Sequence, residues 1–545
     1  MDHFSDRNDI QMHLPTLASL PKLIDSVVVI LATMIIVDTW SGYAGILSPA
    51  MTIIALVAGY FIATTMNHHH ALVTETYSHF TTLVMVFVIL VTGLVLFGLG
   101  QGYDLSADVA PIFTAHQITN HIPLSYSPIL DLPFFYPPGV PAVISTLDFH
   151  PIATHQWAWA AGLMGILLMI TFLPRIGKTI GLSATALMMI PLLFLGARLP
   201  FLSLLTGEYP LLMSLGLGLA AWHWFATRPL LAGAVLGAAT LAHPYGALSM
   251  AIGIIFTHPA IWKHWKSLLV TLIVALPPIV FQFIPYLQLE KSPSLESFHL
   301  GVGDLTATVM LVGLVPILVW ITGTIFRLIK KEKLVQPELR YPFILLAVGI
   351  SGYVIGLIFP SFVFGPKLLV LASLGAILGA AHECGRWFTP TTWKIGAGLV
   401  VVLCLSVAFT SPNLVHLAHG SKATLDEAQF ANSLQGKIPF NTRVLFLSPG
   451  QGKMGEYSNT IPPDIFSTHF VNSFIWRTTN VESVISLRDR ADHFWIVLKE
   501  KCVPCVGEFD EPFIVVNTRV FPALTRYPVL YEDNGFILYE NSPSN

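Results

Sequence analysis

The sequence predicts a mainly α protein, with a polytopic helical membrane domain of about thirteen spans and a C-terminal extracytoplasmic α/β domain. Three observations predict it. Apolar residues make up 54% of the 545 and charged residues only 11%, against about 25% charged in a soluble globular chain. The mean hydropathy is +0.68, so most of the chain has a solvent other than water. Charge is also uneven: 34 charged residues fall in the first 411 and 25 in the remaining 134. The shift after Ser411 divides a cytoplasmic N-terminal segment (1–22) and a multi-span membrane domain (23–411) from a water-soluble domain (412–545).

The same arithmetic excludes other classes. A formal net charge of −3 supplies no basic field for nucleic acid. The 38 prolines and 40 glycines are too few for a disordered or collagen-like polymer, and four cysteines cannot staple a chain of this size. Met1 to Pro21 is polar and proline-broken, so no cleavable secretory signal is expected there.

A helical span needs about 20 mostly apolar residues, because in hydrocarbon only a helix or a closed barrel satisfies its own backbone. The apolar runs are too long and too unalternating for barrel strands. Spans are expected near 26–45, 46–66, 80–100, 157–174, 179–197, 209–227, 229–242, 245–262, 267–289, 305–328, 341–361, 367–385 and 393–411. In the first, Asp25 and Asp38 bracket only twelve apolar or neutral residues. The stretch 229–262 reads either as two short spans or as one helix broken at His243-Pro244. Gly233-x-x-x-Gly237 and Gly375-x-x-x-Gly379 would let neighbouring helices approach closely.

Lys and Arg accumulate on the cytoplasmic side. Alternating loops put fourteen of them, from Arg7 and Lys22 to Arg386 and Lys394, on one face and three, Arg198, Lys291 and Lys367, on the other. Splitting 229–262 in two preserves this bias. The protein is therefore expected to lie in the plasma membrane with its N-terminus cytoplasmic and its C-terminal domain outside.

Between Lys22 and Arg175 there is no basic residue, yet seven acids occur, four of them in an outer loop over 101–156. Connections longer than about 12–15 residues tend to be functional. Spacings of four place Asp104, Asp108 and Ile112 on one face of an expected helix, with His116 a turn further on. Asp131 leads into Phe134-Phe135-Tyr136-Pro137-Pro138-Gly139, a stretch expected at the membrane interface. Two carboxylates and an imidazole on one face can ligate a divalent ion, or one carboxylate can act as general base. The other reading of the same spacing makes Asp104 a helix cap, with Asp108 and His116 solvated.

The order of apolar span, Gly102-Tyr103-Asp104 with Asp108, a segment carrying His116, Ile122-Pro123 and Tyr136-Pro137-Pro138-Gly139 resembles the first external loop of polytopic GT-C glycosyltransferases. That superfamily includes the oligosaccharyltransferases, protein O-mannosyltransferases and aminoarabinose transferases. The resemblance implies transfer of a sugar from a polyprenyl-phosphate carrier to an acceptor (a glycan, a lipid or a protein) at the outer face. It makes Asp104, then Asp108, the catalytic base or the ligands of a Mg or Mn ion, and His116 and Tyr136 substrate-binding. The general plan of spans followed by an external domain agrees. Two spans before residue 80 are additional, and no Trp-Trp-Asp acceptor motif occurs in the C-terminal domain, which argues against asparagine-linked transfer.

Other polar groups are expected at the same face. Arg198 and Glu208 form either a pair joining two helix ends or part of a substrate site. His243, at the outer turn of the hairpin, either caps a helix or binds substrate. Lys367 is an interfacial lysine or, as the resemblance implies, the cation for the carrier's phosphate. His68-His69-His70 reads as an incidental inner loop, and Cys502-x-x-Cys505 as a small disulfide. In the C-terminal domain strands are expected at 443–447, 494–497, 513–516 and 536–539, with a helix over 480–490. No nucleotide-binding glycine pattern or nucleophile elbow occurs there. Two other functions remain open: a transporter, which would show repeated halves and midplane charges, and a non-catalytic scaffold displaying the C-terminal domain.

Overall fold

The computed structural model describes residues 20–69, 103–104, 137–147, 151–205, 208–258, 261–287, 309, 312–333, 336–358, 365–388, 392–409, 422–423, 433, 437, 444–447, 484–486, 512–518, 523–533 and 535–541. The helices, in order, are α1 (Leu20–Tyr43), α2 (Pro49–His69), α3 (Gly139–Leu147), α4 (Pro151–Thr179), α5 (Ala184–Phe194), α6 (Arg198–Leu205), α7 (Tyr209–Trp224), α8 (Pro229–Ala242), α9 (Pro244–Thr257), α10 (Trp265–Leu287), α11 (Leu314–Ile329), α12 (Pro337–Ile358), α13 (Gly365–Trp387) and α14 (Trp393–Phe409). Among the described residues, five helices are long and apolar enough to cross a membrane and six apolar ones are shorter. The expected span 80–100 lies outside the described residues.

Proline fixes many helix starts. Its φ is already helical and its missing N–H has no intrahelical partner in the first turn. Pro49, Pro151, Pro229, Pro244 and Pro337 open their helices, and Pro210 and Pro366 are second in theirs. Once started, these helices are apolar all round, so burial is decided by which helix sits centrally. That role falls to α7, from Tyr209 to Trp222 buried throughout, and to α13. The outer faces of α2, α10, α11 and α14 expose Ile53, Phe61, Ile273, Leu276, Ile325 and Val402, as a hydrocarbon-facing surface does.

Small residues set the helix spacings, since between helices in lipid close packing replaces the hydrophobic drive. A Cβ on Gly165 of α4 would lie 2.3 Å from the Leu212 carbonyl carbon of α7. On Gly233 and Gly237 of α8 it would meet Thr271 and Pro278 of α10, and on Gly375 and Gly379 of α13 it would meet Pro342 and Trp320. Both glycine pairs thus act as the sequence suggested.

The same contacts give helix directions. Ser214 faces Gly246, and Gly218 faces Met250, so α7 and α9 run parallel. Gly233 and Gly237 meet ascending positions of α10, so α8 and α10 run parallel too. The stretch 229–257 is therefore two helices turning back at His243. The bundle consequently has two distinct ends. At one lie His243 and the starts of α7, α9 and α13. At the other, Asp25 pairs with Arg175 at 2.5 Å and with Arg228 at 3.7 Å. Here too Glu383, fully buried, pairs with the buried Arg327 at 3.0 Å and with Arg386 at 3.5 Å. Arg386 also bonds Glu332.

The first expected span, 26–45, corresponds to α1, with Asp25 paired as above and Asp38 fully buried, its carboxylate bonded by Thr52 of α2 at 3.0 Å. Other expectations are corrected. The 101–156 segment is not all loop, because α3 lies within it and α4 begins at Pro151 rather than 157. Pro137, Pro138 and Gly139 are buried. They lead into α3, which packs among α1, α2, α4, α7 and α8.

Asp104 is extended: Tyr103–Asp104 (β1) pairs antiparallel with Lys422–Ala423 (β2) and lies against α4. The helix expected after it lies outside the described residues. Beyond α14, β3 (Val444–Leu447), β4 (Val484–Ser486), β5 (Phe513–Asn517), β6 (Val529–Asp533) and β7 (Phe536–Glu540) form a mixed sheet in the order β4-β3-β5-β7-β6. β3 is parallel to β4 and β5, and β7 is antiparallel to β5 and β6. Val484-Ile485-Ser486 falls where a helix was expected. Its β-branched pair fits a strand beside β3, and a run this short has no decisive period. The expected strand at 494–497 lies outside the described residues.

Candidate functional site

Three expected residues meet at one end of the bundle. Glu208 stands immediately before α7. Its backbone N–H donates to the Ser203 carbonyl at 2.7 Å, and its Oε2 accepts from Ser203 Oγ at 3.0 Å. The turn out of α6 thus holds the carboxylate at the start of the next helix.

His243 is extended (φ −165°, ψ 122°) between α8 and α9. Its N–H still closes the last turn of α8 on Ala239 O at 2.9 Å, while its Nδ1 accepts from the Tyr245 N–H at 3.2 Å and caps α9. Pro244, with no N–H to satisfy, opens that helix. The Ser214 hydroxyl of α7 reaches both Ala239 O at 2.6 Å and His243 O at 2.7 Å, fixing the turn to the central helix. Gly246 is required beside it, since a Cβ there would lie 2.5 Å from Ser214 Oγ.

Lys367 is third in α13. Its Nζ lies 3.6 Å from Glu208 Oε1 and 3.4 Å from His243 Nε2. His243 is 5% exposed, whereas the Lys367 and Glu208 side chains are 18% and 24% exposed, so a buried imidazole underlies a partly open ion pair.

Around this cluster lie the starts of α7, α9 and α13. The start of α3 is near as well, because Gly139 abuts the Leu241 carbonyl, where a Cβ would come within 2.6 Å. Helix N-termini carry partial positive charge and unpaired N–H groups, which favour anions. An ammonium in that setting, with its counter-carboxylate tethered by a serine, suits an anionic group that arrives from the end of the bundle.

The side chains of the remaining expected residues lie outside the described residues. Arg198 begins α6, but its side chain, and with it the expected pairing with Glu208, lies outside the described residues; the described partners of Glu208 are Ser203 and Lys367. Asp104 is described only as backbone in β1, and Asp108, His116 and Tyr136 lie outside the described residues. The fit of Asp104 and Asp108 to a Mg or Mn ion therefore has no geometry behind it. Among the described residues no group of three or more His, Cys, Asp or Glu could hold a metal. His68 and His69 close α2, Cys384 is buried, and Cys502 and Cys505 lie outside the described residues.

Sequence reasoning missed Ser203, which bonds the Glu208 carboxylate, Ser214, which bonds carbonyls 25 and 29 residues away, and Tyr245, whose backbone N–H the His243 ring caps; none of these bonds has a compositional signal. It also missed the junction of Asp38, Thr52 and Thr146, in which the Thr52 and Thr146 hydroxyls are 2.8 Å apart and link α1 and α2 to α3. The acids of the cation-free region were the available signal.

No family model matches this chain, and no curated protein matches it. Among solved structures it is similar to ArnT from Cupriavidus metallidurans bound to undecaprenyl phosphate, with 13% identity, a TM-score of 0.48, and coverage of 86% of this chain and 99% of that one. The apo state of ArnT gives 14% identity, a TM-score of 0.44, and coverage of 83% and 97%.

Proposed function

We propose that this protein is a membrane glycosyltransferase that moves a sugar from a polyprenyl-phosphate carrier to an acceptor at the outer membrane face. The observation that carries the reading is the position of Lys367, between Glu208 and His243 among helix starts, at the end of the bundle away from the Arg- and Lys-rich end. The resemblance of the 101–156 segment to GT-C external loops adds a carboxylate, Asp104, on a segment that pairs with the chain beyond the last span.

In this reading the acceptor hydroxyl loses its proton to Asp104 and attacks the anomeric carbon. The bond from that carbon to the carrier phosphate breaks with inversion, and the phosphate gains one negative charge as it leaves. Lys367, aided by Arg198, neutralises that developing charge. Such preorganised donors are worth about 10²–10³ in rate, and a positioned base about 10²–10⁴. A metal bound by Asp104 and Asp108 would supply Lewis-acid assistance to the phosphate.

The test is transfer from a polyprenyl-phosphate-linked sugar by the purified protein in lipid nanodiscs. Asp104→Ala and Lys367→Met are each expected to lower transfer by at least about 100-fold while the protein inserts and purifies normally. Full activity in both variants removes this mechanism.

A further inference from the structure

We propose that His243 and Lys367 form a two-donor clamp for one oxygen of a phosphate group, with His243 fixed as a donor by its own capping duty. The inference deepens the carrier-phosphate reading and rests on it for the identity of the phosphate.

A neutral imidazole carries one N–H and one acceptor nitrogen, and the hydrogen bond made by one nitrogen decides the role of the other. Here Nδ1 accepts from the Tyr245 N–H at 3.2 Å to cap α9. A nitrogen that accepts cannot also bear the proton, so the proton is on Nε2. That N–H faces Lys367 Nζ at 3.4 Å. An ammonium has three donors and no acceptor, and the Glu208 carboxylate at 3.6 Å is the counter-ion of an ammonium. The two nitrogens therefore meet donor to donor, which gains nothing as a pair. An acceptor oxygen that both can reach reconciles them.

The surroundings select an anion for that oxygen. His243 is 5% exposed, the starts of α7, α9 and α13 lie beside it, and Lys367 supplies a full charge. Glu208, held by Ser203 at 3.0 Å, balances that charge from the other side of the ammonium. The clamp is built by the sequence His243-Pro244-Tyr245. Proline removes its own N–H, so the next N–H, that of Tyr245, is the one the ring caps, and this turns Nε2 toward α13.

The experiment uses the full-length protein in nanodiscs, with a short-chain polyprenyl phosphate and inorganic phosphate as probes. In His243→Asn the side-chain oxygen can still cap α9, but no donor reaches the Nε2 position. Polyprenyl phosphate binding is expected to weaken about ten- to hundredfold, the size of one charge-assisted hydrogen bond, with the melting temperature retained. Nitrogen-15 NMR of the unaltered protein supplies a measurement independent of that variant: the His243 ring should be neutral with its proton on Nε2, and a proton on Nδ1 overturns the clamp. If Lys367→Met abolishes polyprenyl phosphate binding while His243→Asn binds within twofold of the unaltered protein, the clamp falls and the carrier reading stands. If inorganic phosphate binds in a His243-dependent way and polyprenyl phosphate does not, the clamp stands and the lipid carrier falls. Binding of neither probe removes both.

Discussion

Glu208 balances the charge of Lys367, so any anion that uses Lys367 competes with a carboxylate already beside it. The two side chains are 18% and 24% exposed with a 3.6 Å separation, and ion pairs open to this degree contribute no more than about 1 kcal/mol. The competition is therefore modest but measurable. Glu208→Gln keeps the hydrogen bond from Ser203 and removes the charge. It is expected to tighten polyprenyl phosphate binding about two- to fivefold, with the gain shrinking as salt rises, in a competition titration. Unchanged affinity would mean that the carboxylate does not share the phosphate's partner. Lys367, His243 and Glu208 were legible in the sequence because ionisable residues stand out where charge is scarce. Their mutual contact was not, because it needs α7, α9 and α13 to begin at the same end. Lys367, the described ionic partner of Glu208, is 159 residues further along the chain, reached through helix packing that no local spacing encodes.

At the scale of elements, glycines decide how closely the central helices approach, and their contacts differ enough to separate two kinds of substitution. Gly165 faces the Leu212 backbone, where a Cβ would sit 2.3–2.4 Å from the carbonyl carbon and oxygen. Backbone cannot rotate out of the way, so α4 and α7 must separate. Gly398, in α14, has nothing within 4 Å of an added Cβ. Gly165→Ala is expected to cost about 1–3 kcal/mol of overpacking, seen as a lowered melting temperature by size-exclusion after heating. Gly398→Ala should be neutral or slightly stabilising, since alanine is the better helix former by about 1 kcal/mol. Equal behaviour of the two would mean that the helices are not packed through these faces.

Helix existence was largely legible, from runs of apolar residues and from prolines at their starts. What the sequence did not reveal is α3. Nine residues that follow Pro137-Pro138 and contain Pro141 read as loop, and the helix is held by burial among five neighbours rather than by its own propensity. The strands β4 and β6 were missed for a related reason, since short edge elements take their identity from the partner strand.

For the whole molecule the decisive property is that its two ends differ. Lys22, Arg175, Lys178, Arg228, Lys263, Lys266, Arg327, Lys330, Lys333, Arg340, Arg386 and Lys394 belong to helix ends or turns on the side opposite His243, where the ion pairs of Asp25 and Glu383 also lie. A membrane protein places such an excess of Lys and Arg in the cytoplasm. Trp262, 81% exposed, in the turn before α10, and Trp265, 55% exposed, which opens that helix, lie either side of Lys263, as aromatic residues do at the headgroup level. If this end is cytoplasmic, the Lys367 cluster faces outward, and α14, which starts beside Lys394 at this end, leads away from it toward the sheet. The orientation can be read with a membrane-impermeant maleimide on intact cells, in a chain whose four native cysteines are alanine. A cysteine at Val529, an exposed position of β6, should be labelled. One at Lys263 should be protected until the membrane is permeabilised. The opposite pattern would turn the Lys367 cluster toward the cytoplasm, and transfer at the outer face would lose its only described cation beside a helix-start cluster.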